Sequence, residues 1–156
     1  AQLSGGTVLA ETTLRPLGRI IDKVGAVPRY LLSHPHQVMP NGALALFADV
    51  NVGDELVLML GTESALLERT NQVANRALAS GNPDEPLAGA ILVYCGGCVG
   101  ALGDKVPDVS TTFRKQLHGA PFVGAATFGE QGCFTGPKAM NRHGNLMCDA
   151  VMFAAK

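Results

Sequence analysis

Cys95 and Cys98 close an apolar run, AILVYCGGCVG at residues 90–100, and pose the sharpest chemical question in this chain. Their spacing suits a redox pair, half of a metal site, or part of a ligand pocket. A thioredoxin-like dithiol sits where a strand meets a helix, and the helix N-terminus lowers the thiol pKa. Here residues 99–107 are expected to separate the second thiol from its helix, which argues against a dedicated oxidoreductase. Structural zinc takes four ligands. Cys133, His143 and Cys148 are available but lack knuckle spacing, so no metal is expected. Cys148 lies in an apolar stretch, where a thiol behaves as a small hydrophobe. Gly97, Gly100 and Gly103 resemble a phosphate cradle in spacing only, without the Lys-Ser/Thr of a P-loop or the G-x-G-x-x-G order.

The second stretch with chemical content is FVGAATFGEQGC at residues 122–133. Glu130, at a glycine turn after an apolar run, could accept hydrogen bonds from a ligand amine, although a lone carboxylate in such a turn is ordinarily solvated. No Ser-His-Asp set and no carboxylate pair is legible, so no enzyme is expected. A Cys95 nucleophile with His143 as its base is the nearest approach to one.

These groups need elements to hold them. LGRIIDKVG reads as a strand, AVPRYLLS as a short helical turn, and HPHQVMPNG as a loop. ALALFADV and ELVLML, separated by Asn51, Gly53 and Asp54, read as the two strands of a hairpin. TESALLERTNQVANRALASG is the clearest helix. Thr62 can cap it, Leu66, Leu67, Val73, Ala74, Ala77 and Leu78 share a face, and Gly81 ends it. GAILVY is a buried strand leading into a glycine loop. DVSTTFRKQLHG is a second helix, with Asp108 or Ser110 as cap, Val109, Phe113 and Leu117 on one face, and Gly119 as stop. APFVGAATFGE and NLMCDAVMFAA are further strands. Hairpins and helix crossovers together predict an α/β (α+β) fold, with a mixed, largely antiparallel sheet and helices packed on it. Residues 1–14 read as an arm or linker and residues 15–156 as the domain.

Composition narrows the partners. Hydrophobic residues are 47% and charged residues 16%, so either the core is large or some apolar surface faces a partner. The net charge of -1 has no basic cluster behind it, and with no Trp and two Tyr there is little to stack on bases. Nucleic acid is not expected as a partner. No run approaches the ~20 apolar residues of a membrane helix, and no signal peptide is visible, so a cytoplasmic, reduced setting is expected. The absence of an initiating Met is what an excised piece of a longer protein would show.

Taken in order, the motifs resemble the C-terminal half of the FIST family. That pattern is a strand ending in Cys and a small-residue turn, a helix, a strand ending in Gly-Glu, a polar segment with His or Asn, and a final apolar strand. AILVYCGGCVG places Cys95 at the family cysteine. FRKQLHGAPFVGAATFGEQG supplies the helix and the Gly129-Glu130 turn, and Asn141-Arg142-His143-Gly144-Asn145 followed by LMCDAVMFA supplies the end. The resemblance covers roughly residues 15–155. Cys98 stands where relatives commonly have Arg, and Gln131 where they have Ile.

The resemblance implies an intracellular sensory domain for signal transduction that binds a small polar ligand, an amino acid being the usual suggestion. The ligand site it implies comprises Cys95, Gly96, Gly97, Thr127, Gly129, Glu130, Asn141 and His143. Glu130 would hold a cation or amine, Thr127 and His143 would add hydrogen bonds, and amides near Gly96 and Gly97 would take an anion. Two further classes stand beside it, the F-box and haem roles implied by the resemblance and the redox role by the spacing of the two cysteines. One is an interaction module of an F-box-type substrate receptor, docking a protein partner or the N-terminal FIST half. The other is a thiol redox sensor at Cys95 and Cys98, or a haem sensor drawing an axial ligand from His34, His36, His118 and His143.

Overall fold

The structure is a computed structural model and describes residues 8–82, 84–133 and 140–155. Its elements in chain order are α1 (Val8–Thr12), β1 (Leu17–Val24), β2 (Val27–Ser33), β3 (Pro35–Val38), β4 (Leu44–Leu46), β5 (Leu56–Leu58), α2 (Glu63–Ala79), β6 (Leu87–Cys95), α3 (Gly96–Leu102), α4 (Val106–Gln116), β7 (Phe122–Thr127), β8 (Glu130–Cys133), β9 (Asn141–Gly144) and β10 (Cys148–Ala154). This is the mixed α+β architecture expected. One sheet has the order β10-β6-β7, a second β2-β1-β5, and two hairpins, β3-β4 and β8-β9, complete the strands.

The central sheet explains the arrangement. β6 pairs antiparallel with β10 and parallel with β7. A parallel neighbour needs a crossover, and α3 and α4 supply it. Alternation along β6 buries Ala90, Leu92 and Tyr94 while Ile91 is exposed. The buried face meets Leu66 and Ala74 of α2 and Val109, Phe113 and Leu117 at α4 and its end. Phe113 packs edge-on to Phe122 with centroids 5.1 Å apart, and the Tyr94 hydroxyl donates to the Leu66 carbonyl at 3.1 Å. α2 has the cap expected of it: Thr62 Oγ1 accepts from the Ala65 N–H at 3.1 Å.

Five local expectations are corrected. The stretch expected as a helical turn is strand β2, joined to β1 by a two-residue turn in which Gly25 adopts φ +62. That hairpin geometry favours glycine at its first central position. Residues 35–38, expected in a loop, form β3, which pairs with β4. The hairpin expected between ALALFADV and ELVLML does not form, because β5 pairs with β1 instead, Leu17 facing Leu58. The glycine loop after Cys95 is helix α3, which begins at Gly96 despite poor local propensity because it buries Cys98 and Leu102. Finally, α4 begins at Val106 with Pro107 in its first turn and has no side-chain cap, so neither Asp108 nor Ser110 caps it. Val8–Thr12, within the stretch expected as an arm, is helical, and Val8 is fully buried.

Candidate functional site

β6 delivers Cys95 to the N-cap of α3 in an extended conformation (φ -62, ψ 131). The Cys95 N–H donates to the Met147 carbonyl at 3.1 Å, which fixes it against the turn preceding β10. Its sulfur makes no conventional cap bond. Even so, the Cys98 thiol and the N–H groups of Cys98, Gly97 and Leu146 converge on it, and together they outweigh burial and lower the Cys95 pKa to about 5. These donors favour the thiolate form of Cys95. Cys98, beneath it and 1% exposed, is pushed far up by its bond to Cys95 and by burial. The chain comes so close here that a Cβ on Gly96 would sit 3.1 Å from the Phe128 ring and 3.2 Å from the Thr127 carbonyl.

Glu130 opens β8 after Gly129, whose φ of +91 makes the turn that aims it inward. It is 1% exposed, not the solvated turn residue that the sequence suggests for a lone carboxylate. Thr127 Oγ1 donates to Oε1 at 3.1 Å and the Met147 N–H donates to Oε2 at 3.3 Å. Burial, the Cys95 thiolate and a hydrogen bond with that sulfur outweigh these donors and raise the Glu130 pKa to about 7. Cys95 and Glu130 thus line one cleft with their proton affinities shifted in opposite directions, the thiol downward and the carboxyl upward.

A cleft of about 490 Å³ lies over this pair. Its lining includes Cys95, Gly96, Gly97, Gly129, Glu130 and His143 from the expected ligand set. Thr127 does not line it and acts through its bond to Glu130. Asn141 is at the other end of β9, exposed and opposite Cys133, so the structure does not bring it to the cleft. The amides expected to cradle an anion are turned to the Cys95 sulfur, where Gly97 and Cys98 both contribute.

Sequence reasoning missed the far wall. Thr13, His34, Phe47, Phe128 and Asn145 also line the cleft. His34 is 3% exposed, and its Nε2 lies 3.0 Å from the Leu9 carbonyl and 3.3 Å from Thr13 Oγ1. A carbonyl only accepts, so Nε2 carries the ring proton. Burial lowers the His34 pKa, which keeps the ring neutral. Asn145 Oδ1 accepts from the His34 N–H at 2.9 Å, tying β2 to the turn before β10 across 111 residues. In that turn Leu146, 2% exposed, has φ +56, an unusual conformation for a leucine. It directs its N–H to Cys95 and its carbonyl to Arg69 Nη1 at 2.5 Å. The His34–Asn145 bond spans 111 residues, so no local pattern announces it.

Of the four histidines named as candidate axial ligands, His34 and His143 line the cleft, with His34 Nε2 engaged by Leu9 and Thr13, whereas His36 and His118 are not among the lining residues. Among the described residues no group of three or more His, Cys, Asp or Glu side chains could hold a metal ion, and no helix is long and apolar enough to cross a membrane.

The family model for the FIST C domain matches residues 4–133, which takes in the thiol-bearing strand, both helices of the crossover and the Gly-Glu turn. No curated protein and no solved structure matches the chain.

Proposed function

Because the chain belongs to the FIST C-domain family, a family of signal-transduction sensory domains, we propose that its cleft senses a small ligand carrying a positively charged amine. The observation that carries this reading is the charge of the lining. Cys95 is ionised, Glu130 is buried and ready to ionise, and neither Lys nor Arg is among the lining residues. Two acids without a counter-cation favour a cation by Coulomb attraction that burial strengthens. Phe47 and Phe128 also line the cleft, and an aromatic ring attracts a cation held over its face. An amino-acid carboxylate has no such welcome. Cys98 stands where relatives commonly have Arg, so a plain amine suits this chain better than a zwitterion.

A thermal-shift screen tests the reading with butylammonium and butane-diammonium against butanol, on the wild type and on Glu130→Gln. The ammonium ions raise the melting temperature of the wild type and not of the variant. Equal shifts from ammonium and alcohol, or an unchanged shift in the variant, would remove the reading.

A second reading has its own observation. Ile91 pairs with Val151 on one side and Val123 on the other, so all three share the sheet face away from α2 and α4. They and Phe153 are exposed, with Val123 at 64%. An apolar sheet face open to solvent suits docking, either of the N-terminal FIST half or of a protein partner in an F-box-type receptor. Val123→Asp combined with Val151→Asp abolishes capture of the N-terminal half expressed separately and leaves ammonium binding unchanged. Undiminished capture would refute docking at this face.

A further inference from the structure

We propose that Cys95 and Cys98 are a peroxide-reactive dithiol, in which Cys95 reduces a small hydroperoxide from the cleft and Cys98 traps the product as an intramolecular disulfide. The two thiols play different parts because the fold places them differently. Cys95 lines the cleft, whereas Cys98 is absent from the lining and fully buried behind it. An incoming oxidant therefore meets one sulfur and not the other. Cys95 is the N-cap residue and Cys98 the third residue of α3, so they are neighbours across one helical turn. The attacking sulfur, its resolving partner and an acid are thus in one place, since Glu130 lines the same cleft as Cys95.

The steps balance with a hydroperoxide as the only co-reactant. Cys95 thiolate attacks the terminal peroxide oxygen, so an S–O bond forms and the O–O bond breaks. The sulfur is oxidised to sulfenic acid and the peroxide is reduced to an alcohol or water, the leaving oxygen taking the Glu130 proton. Cys98 Sγ then attacks Cys95 Sγ. The S–S bond forms, the S–O bond breaks, and hydroxide departs as water with the Cys98 proton. The bond to Cys95 is the largest cause holding the Cys98 proton in place. That restraint ends when Cys95 becomes a neutral sulfenic acid, so the first step releases the second.

Ionisation alone does not make Cys95 fast, because a thiolate loses nucleophilicity as its pKa falls. The proton from Glu130 to the leaving oxygen is the added element, and general acids of this kind contribute on the order of 10²-fold or more. The other cysteines lack the arrangement. Cys148 is buried, and burial raises its pKa to about 12. Cys133 is exposed on β8, at the end opposite the cleft.

The test treats the whole chain with hydrogen peroxide and with cumene hydroperoxide, followed by peptide mapping. The expected product is a monomer lacking two hydrogens, with the bridge between Cys95 and Cys98 and full reversal by dithiothreitol. Cys98→Ala stops at a Cys95 sulfenic acid that dimedone captures, and Glu130→Gln slows the first step at least tenfold at pH 6. Direct passage of wild-type Cys95 to sulfinic acid overturns the proposal, as does a bridge mapped to Cys133 or Cys148. Wild-type mapping decides the matter even if a variant fails to fold. The assay contains no amine, so its result is independent of the ligand reading.

Discussion

Removing the Glu130 carboxyl should change how stability depends on pH, and the change can be worked from the pair it forms with Cys95. Glu130 moves from its ordinary 4.5 to about 7 on folding, and Cys95 from 9.0 to about 5. Glu130 has a raised folded pKa, so its contribution is fully present below pH 4.5 and lost as pH rises to about 7. The loss is about 3 kcal/mol at 1.36 kcal/mol per pH unit. Cys95 has a depressed folded pKa, so its contribution is present above pH 9 and lost as pH falls to about 5. That one reaches about 5 kcal/mol as an upper bound. Between pH 5 and 7 the two slopes cancel, because folding shifts one proton from the thiol to the carboxyl and binds none from solvent. Glu130→Gln leaves only the rising limb. Subtracting the variant's stability from that of the wild type at each pH removes the other titrating groups. The difference should fall by about 3 kcal/mol between pH 4.5 and 7 and stay level above. Urea unfolding followed by circular dichroism measures it, the chain having no Trp to report by fluorescence. A difference that is flat from pH 4.5 to 7 would refute the raised Glu130 pKa.

Cys95 should alkylate with iodoacetamide at a rate that is nearly constant from pH 6 to 9 and falls toward pH 5, as followed by peptide mapping. In Cys98→Ala the midpoint moves up, since the Cys98 thiol is the first cause of the depression. Phe113→Ala, which empties a fully buried site against Phe122, should cost about 3–5 kcal/mol in urea unfolding. Thr62→Ala removes the α2 cap and should cost about 1 kcal/mol by the same assay.

The sequence carried the periodic elements well. α2, α4, β6, β7 and β10 follow from apolar spacing and turn residues, and the core residues Leu66, Val109, Phe113 and Leu117 are on the faces that spacing assigns. Strand partners were less legible, because alternation says that a segment is a strand and not what it pairs with. β5 leaves β4 for β1, where the Met59 N–H donates to the Pro16 carbonyl at 2.9 Å. The short β1-β2 turn was readable in principle from Val24-Gly25-Ala26-Val27, where glycine supplies the positive φ. α3 was hidden by its glycines, since burial of Cys98 and Leu102 overrides propensity there. Within the cleft, motif order drew attention to Cys95, Glu130 and His143, which the chain brings together from three elements. His34 stood out only as a possible haem ligand and Asn145 and Leu146 only as parts of longer motifs, because the bond that joins His34 to Asn145 spans 111 residues.

Isothermal calorimetry of butylammonium binding at pH 7, repeated in two buffers of different ionisation enthalpy, shows whether Glu130 gives up its proton as the ligand binds. A Glu130 carboxyl with a pKa of about 7 is half protonated there and must ionise to hold the cation. Binding to the wild type releases a fraction of a proton per ammonium, and in Glu130→Gln the binding heat and the release are lost together. Binding with no proton exchange, or with the same release in the variant, would contradict this expectation.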